Sequence, residues 1–171
     1  MDRRTVLSLG VAAATVSLAG CTGGGGEEGG GAESEPAEPI DSSAEELVFS
    51  LDDFDGTGWS LANEETDGNM ARREFVNQDG GITQIHATVW YYESESEAET
   101  KYQELNTEVS GSTSTETRDV GSEGFAYEGG TATVVFRDVN VVAQVEHYRV
   151  ASGSVDTATE YANRLQNKWR S

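Results

Sequence analysis

The stretch Ile82–Tyr92, ITQIHATVWYY, decides the architecture. Ile85, Ala87, Val89 and Tyr91 alternate with Gln84, His86, Thr88 and Trp90, the two-residue period of a strand with one buried face. Immediately downstream the period changes. Over Ser96–Val109, Ala98, Tyr102, Leu105 and Val109 recur at steps of four, three and four, which predicts an amphipathic helix. Ser94 with Glu97 and Ser96 with Glu99 both have capping-box spacing, and Gly111 is a natural stop.

Upstream, Trp59–Glu65 and Ala71–Asn77 read as strands separated by Asp67-Gly68-Asn69. Before them, Ser43 and Glu46 have capping-box spacing, and Ala44, Leu47, Val48 and Leu51 recur at helical intervals, so a short helix ending near Asp53 is expected. Downstream, Thr117–Val120, Gly124–Tyr127, Thr131–Arg137 and Val141–Val150 read as strands, with turns at Gly129-Gly130 and Asp138–Asn140. A last helix is expected over Val155–Trp169, with the stripe Val155, Ala158, Ala162, Leu165 and Trp169. Its cations Arg164, Lys168 and Arg170 sit where the helix dipole favours them. Each half is thus a set of antiparallel strands closed by one helix. Duplication and two independent meanders both fit that order. The expected fold is α+β: a twisted antiparallel sheet with two long amphipathic helices packed on one face and a short N-terminal helix. Residues 42–171 contain no proline to interrupt the ladders.

Composition excludes several functions. The chain has 171 residues, 31 acidic and 11 basic side chains and a formal charge of −20, which repels nucleic acid. One cysteine forms no internal disulfide, and with only two histidines a Cys/His zinc cluster is not expected. The acidity is uneven: residues 42–116 hold 17 acids and three bases, residues 117–171 seven acids and six bases. Charge of this size fits a protein adapted to salt, with the near-neutral C-terminal half as the expected contact surface.

Residues 1–21 read as an export signal. Asp2-Arg3-Arg4-Thr5 is a short charged start, and Val6–Ala19 carries no charge but is too short and too rich in small residues to span a bilayer. Leu18-Ala19-Gly20-Cys21 matches the lipobox of bacterial-type lipoproteins, which implies lipid on the Cys21 thiol after cleavage before it. Arg3-Arg4-Thr5-Val6-Leu7 resembles the twin-arginine export motif, with Asp2 where Ser or Thr is usual. Both imply a protein held at the outer face of the cytoplasmic membrane. Residues 22–41, TGGGGEEGGGAESEPAEPID, lack the hydrophobes that would offset ordering entropy and read as a disordered acidic spacer. Residues 42–171 form the single globular domain.

Within that domain no reaction declares itself. His86 and His147 both fall in strands, without the spacing of a metal motif, and no Gly-x-Ser-x-Gly elbow anchors a hydrolase triad. No catalytic, cofactor-binding or metal-binding residue is assigned. The feature worth carrying is His86, Trp90 and Tyr92, which share the face opposite the Ile85–Tyr91 row. They form an exposed binding surface if that face is bare and core if a helix covers it.

The layout of signal, lipobox, acidic Gly-rich spacer and small acidic domain resembles haloarchaeal secreted lipoproteins. The folded region resembles small exported α+β domains, including PsbP-like domains and mycobacterial lipoprotein and kinase-sensor domains. The points of contact are Asp53-Phe54 leading to Gly58-Trp59, Val120-Gly121-Ser122-Glu123, and the hairpin Phe136-Arg137-Asp138-Val139-Asn140-Val141-Val142. Val139, a β-branched residue in a tight turn, points to a longer loop there. The resemblance implies a non-catalytic binding or sensor module, and no cofactor is expected. The anchor, the spacer and a compact domain without catalytic motifs point to a lipid-anchored extracytoplasmic binding or interaction domain, including an accessory subunit of a membrane complex that meets a protein partner at the cell surface. A small solute-binding lipoprotein feeding a transporter and a cell-surface hydrolase remain as alternatives.

Overall fold

The computed structural model describes residues 38–79, 81–150 and 153–171. The signal, Cys21 and residues 22–37 of the spacer lie outside the described residues. In chain order come α1 (Ala44–Leu47), a 3-10 turn (Leu51–Asp53), β1 (Trp59–Asp67), β2 (Met70–Asn77), β3 (Thr83–Tyr91) and α2 (Glu95–Ser110). Then follow β4 (Glu116–Thr117), β5 (Glu123–Glu128), β6 (Ala132–Asp138), β7 (Val141–Arg149) and α3 (Val155–Trp169). The seven strands form one antiparallel sheet in the order β1-β2-β3-β7-β6-β5-β4. Two meanders therefore meet where β3 pairs with β7.

The inner face carries Phe75, Ile85, Ala87, Val89, Ala126, Val134, Phe136, Val141, Ala143 and Val145 in one cluster with Val48 and Phe49 of the N-terminal segment and Ala158, Ala162, Leu165 and Trp169 of α3. Trp169 stacks on Phe136 at 5.1 Å and donates its indole N–H to the Leu47 carbonyl at 2.9 Å. That bond satisfies the one polar atom of a large buried ring. On the outer face a second cluster joins Ala98 and Tyr102 of α2 to Phe125, Val135 and Val142. The two long helices therefore pack on opposite faces, not on one. Both cover the second meander: α3 lies against β5, β6 and β7 from inside, and α2 against β6 and β7 from outside. β6 is consequently buried along all seven residues. Its sequence shows why, since the apolar run Val134-Val135-Phe136 does not alternate.

Other boundaries shift for local reasons. The first helix is one turn long, because Val48 already has extended backbone (φ −69°, ψ 156°). Val48 and Phe49 are then both buried, while Leu51, assigned by periodicity to the helix stripe, is exposed. Ser94, rather than Ser96, caps α2, accepting the Glu97 N–H. β4 stops at Thr117, since Val120 turns inward and Gly121 takes φ +67°. Ile40, placed by composition in the spacer, is buried and part of the inner cluster.

Candidate functional site

The outer row can be followed strand by strand through the register. Arg72, Glu74 and Val76 of β2 lie opposite Thr88, His86 and Gln84 of β3, which in turn face Gln144, Glu146 and Tyr148 of β7. Trp90 pairs with Val142 at the end of that row which α2 covers. Trp90 and Tyr92 pack partly buried against the α2 cluster, and Lys101 of α2 lies over the Trp90 ring at 5.2 Å. Burial raises the pKa of Tyr92. His86 lies four residues before Trp90, outside that cluster, and its Nδ1 is 3.4 Å from Glu146 Oε2. The hydrogen bond from His86 is the main reason the Glu146 carboxyl is held below its ordinary range. The three aromatic residues singled out by sequence are thus divided. Trp90 and Tyr92 go under the helix, and His86 stays on the bare part of the face.

Next to His86 the bare face turns apolar. Tyr148 is 38 % exposed, Ile82 47 % and Val150 70 %, and these are three of the five exposed large hydrophobic residues among those described. Thr83 pairs with Arg149 and Gln84 with Tyr148, so Ile82 and Val150 extend the β3 and β7 strands at the same end. Alternation puts Ile82 and Val150 on the same row as His86, but as apolar residues at strand ends they were not singled out as surface.

The two sequence motifs Val120–Glu123 and Phe136–Val142 come together at the opposite end of the sheet. Asp138 pairs with Val141, so the β6–β7 connection is the two-residue turn Val139-Asn140, not a longer loop. Val139 takes φ +52°, a region that β-branched residues resist. The surroundings hold it there. Arg137 Nη1 donates to the Val139 carbonyl at 3.1 Å, and the Tyr92 N–H donates to the Asn140 carbonyl at 3.0 Å. The Asn140 side chain accepts from the Ile40 N–H at 2.8 Å and donates to the carbonyls of Ile40 and Tyr92 at 3.0 and 2.9 Å. Gly121 packs so tightly that a Cβ there would lie 2.3 Å from the Arg137 carbonyl oxygen.

From this turn, consecutive residues reach in opposite directions. Arg137 projects outward to Glu95 of α2 and Glu123 of β5, at 3.0 and 2.6 Å. Asp138 projects inward to Arg170 at the end of α3, at 2.6 Å, and also accepts from Ser122. The hairpin tip therefore clamps the start of α2 and the end of α3. Nearby, burial and the Glu123 carboxylate push the Tyr102 phenol up to about 12, so it stays protonated. This arrangement is a structural hub. Its charged groups pair with one another, while the buried Arg137 Nε makes no hydrogen bond.

His147, the other histidine, faces inward and is buried. Its Nδ1 accepts the Ser154 N–H at 2.9 Å, just before α3, which requires the neutral tautomer. Burial lowers its pKa, and Arg149 adds to the shift. A cleft of about 680 Å³ opens between the β4–β5 end and the start of α3, lined by Arg118, Glu116, Tyr127, Glu128, Ser154 and Asp156. Neither histidine nor Trp90 lines it. Among the described residues no group of three or more His, Cys, Asp or Glu side chains is placed to hold a metal ion. Asp53-Phe54 and Gly58-Trp59 complete the inner core: Phe54 meets Trp59, Phe75 and Tyr161, and Asp53 pairs with Lys168 at 2.7 Å.

Comparison with protein-family models, with curated proteins and with solved structures found no match. The geometry of the bare outer face is therefore the observation on which a functional reading stands.

Proposed function

We propose that the chain is a lipid-anchored extracytoplasmic interaction domain, non-catalytic, acting as an accessory subunit of a membrane complex. In this reading a twin-arginine signal exports it, lipid on Cys21 holds it at the outer face of the cytoplasmic membrane, and the acidic Gly-rich spacer that begins at Thr22 separates it from the bilayer. The observation that carries the reading is the bare outer face at the end of the β3–β7 seam, where the two meanders meet. There Ile82, Tyr148 and Val150 stand exposed beside the His86–Glu146 pair, as a protein contact with an apolar centre and polar rim requires.

The test is affinity capture of the lipidated chain from native membranes at high salt, compared with an Ile82→Ser, Tyr148→Ser, Val150→Ser variant. A partner retained by the first and lost by the second is expected. Equal recovery from both would remove the outer face as the contact. Cys21→Ser should move the protein from the membrane to the soluble fraction, and unchanged membrane association would sink the anchor. Adaptation to salt predicts a lower melting temperature in dilute buffer than in molar KCl, where the screening length falls to about 3 Å; equal values would contradict it.

The Arg118 cleft favours a second reading, a small solute-binding lipoprotein. Its polar lining of one guanidinium, carboxylates and hydroxyls suits a zwitterionic solute. A thermal-shift screen with amino acids and short peptides separates the two: a stabilising solute whose effect disappears in Arg118→Ala would favour it.

A further inference from the structure

The sheet has two edges, and they differ. β4 at one edge is two residues long. β1 at the other has nine residues, all exposed except Trp59. Among the described residues β2 is the only strand that pairs with β1, and no other backbone hydrogen bond reaches β1. Its outward N–H and C=O groups therefore form an open template for one more strand. A bulge between Leu61 and Asn63 interrupts the ladder, but Asn63–Asp67 beyond it pairs regularly with Glu74–Met70. That segment offers about 17 Å of straight edge.

Its side chains select what can pair there. Asn63, Glu65 and Asp67 alternate on the outer face with Glu64 and Thr66 on the inner face. Glu64 is neutralised by Arg73, whereas Arg72, cross-strand from Glu65, pairs with Glu74 instead, so among the described residues Glu65 and Asp67 make no ion pair. A second copy of this chain laid antiparallel along the same edge would set Glu65 against its own counterpart or, two residues on in register, Glu65 against Asp67, and like charges opposite one another destabilise a ladder. The acids thus close the edge to self-association. They leave it open to a strand of opposite charge.

We propose that Asn63–Asp67 is a strand-addition site for an extended polypeptide segment carrying basic residues at alternate positions, so that two cations on one face meet Glu65 and Asp67 while backbone bonds extend the sheet. Leu61, 42 % exposed, and Leu51, 45 % exposed on the 3-10 turn that neighbours β1, supply apolar contact where the segment runs on past the bulge. Main-chain bonds give such a complex its affinity and the alternating side chains its specificity. In molar salt the backbone bonds persist, and cross-strand ion pairs at contact distance lie within the screening length of about 3 Å. The site is separate from the Ile82–Tyr148–Val150 patch and does not depend on it.

The experiment uses the isotope-labelled full chain in detergent and a seven-residue peptide of threonine and valine with lysines at its third and fifth positions. Amide exchange should slow at Asn63–Asp67 and nowhere else in the sheet. A composition-matched peptide with lysines three apart, which puts them on opposite faces and leaves only one against the Glu65 and Asp67 face, should bind roughly 1.5- to fivefold more weakly, as the loss of one of two cross-strand charge pairs implies. Glu65→Lys with Asp67→Lys should reverse the preference toward a glutamate peptide of the same spacing. Equal binding by a backbone N-methylated peptide would mean adsorption by charge rather than strand addition and would overturn the proposal. So would the absence of any protection at Asn63–Asp67. The Ile82→Ser, Tyr148→Ser, Val150→Ser variant should bind the peptide unchanged, so failure of the outer-face reading and failure of this one are told apart.

Discussion

Strand β6 of the second meander is buried along all seven residues, whereas β1 of the first is exposed along eight of its nine. The difference comes from where the helices go. Both α2 and α3 pack on the second meander, one on each side, and make it a three-layer unit. The first meander has on its inner face mainly the N-terminal segment, through Ala44, Leu47, Val48, Phe49 and Phe54, with Tyr161 of α3 reaching Trp59, and among the described residues nothing on the outer face beyond the edge of α2. One sheet thus serves two ends. The second meander holds the apolar burial from which stability derives, and the first presents bare backbone and bare face to partners.

Substitutions that test this division should fall in a definite order. Phe136→Ala removes a ring stacked under Trp169 at the centre of the second meander and should cost about 3–5 kcal/mol in denaturant unfolding. A loss under about 1 kcal/mol would break the comparison. Gly121→Ala forces a positive φ on a residue with a Cβ and pushes that Cβ into the Arg137 carbonyl, so a loss of about 1–3 kcal/mol is expected from the same measurement. Wild-type stability after that substitution would show that the hairpin hub is not tightly held.

The inner-face histidine supplies a pH test. Because burial lowers the folded-state pKa of His147, the neutral form stabilises the fold above the ordinary value of about 6.5, and that contribution is lost as pH falls through the folded value. Melting temperatures recorded from pH 8 down to 5 should therefore drop for the wild type. The drop should be smaller for His147→Gln, whose amide oxygen can still accept the Ser154 N–H. An identical decline in both would assign the effect to other groups. The smallest effect belongs to the exposed positions of β7 and β1. Tyr148→Ser or Glu65→Lys should change unfolding free energy by less than about 0.5 kcal/mol, since both side chains are exposed. A larger loss would mean that the bare regions bear stability after all.

Much of the fold was legible before any coordinates. Val155–Trp169 has the boundaries its stripe implies, and the strands centred on residues 63, 74, 87, 126, 135 and 145 stand where alternation or turn residues put them. What periodicity misjudged were places where a side chain is buried without a period. Phe49 is covered while off any helical stripe, and the consecutive apolar residues of β6 record cover on both faces. Val139 was misjudged in the other direction. Local sterics disfavour φ +52°, but the bonds made by Arg137, Asn140 and Ile40 around the turn outweigh that cost. Of the candidate surface, only His86 was placed by alternation on the face that stays bare. Ile82 and Val150 carry no local mark of exposure.

The chain's charge follows the same rule. The near neutrality of residues 117–171 does not make their surface neutral. Arg137 pairs with Glu95, Arg164 with Asp55 and Lys168 with Asp53, so bases of the second half neutralise acids of the first. The sequence by itself determined the elements, their order, the α+β class and the total charge, because these depend on residues near one another along the chain or on composition alone. Only the tertiary structure decided that α2 and α3 lie on opposite faces of one meander, that half of the other is bare, and which charges meet. Those outcomes depend on contacts closed across a hundred or more residues, as Ile40 with Asn140 and Leu47 with Trp169 are, and no local period encodes which face a distant helix will reach.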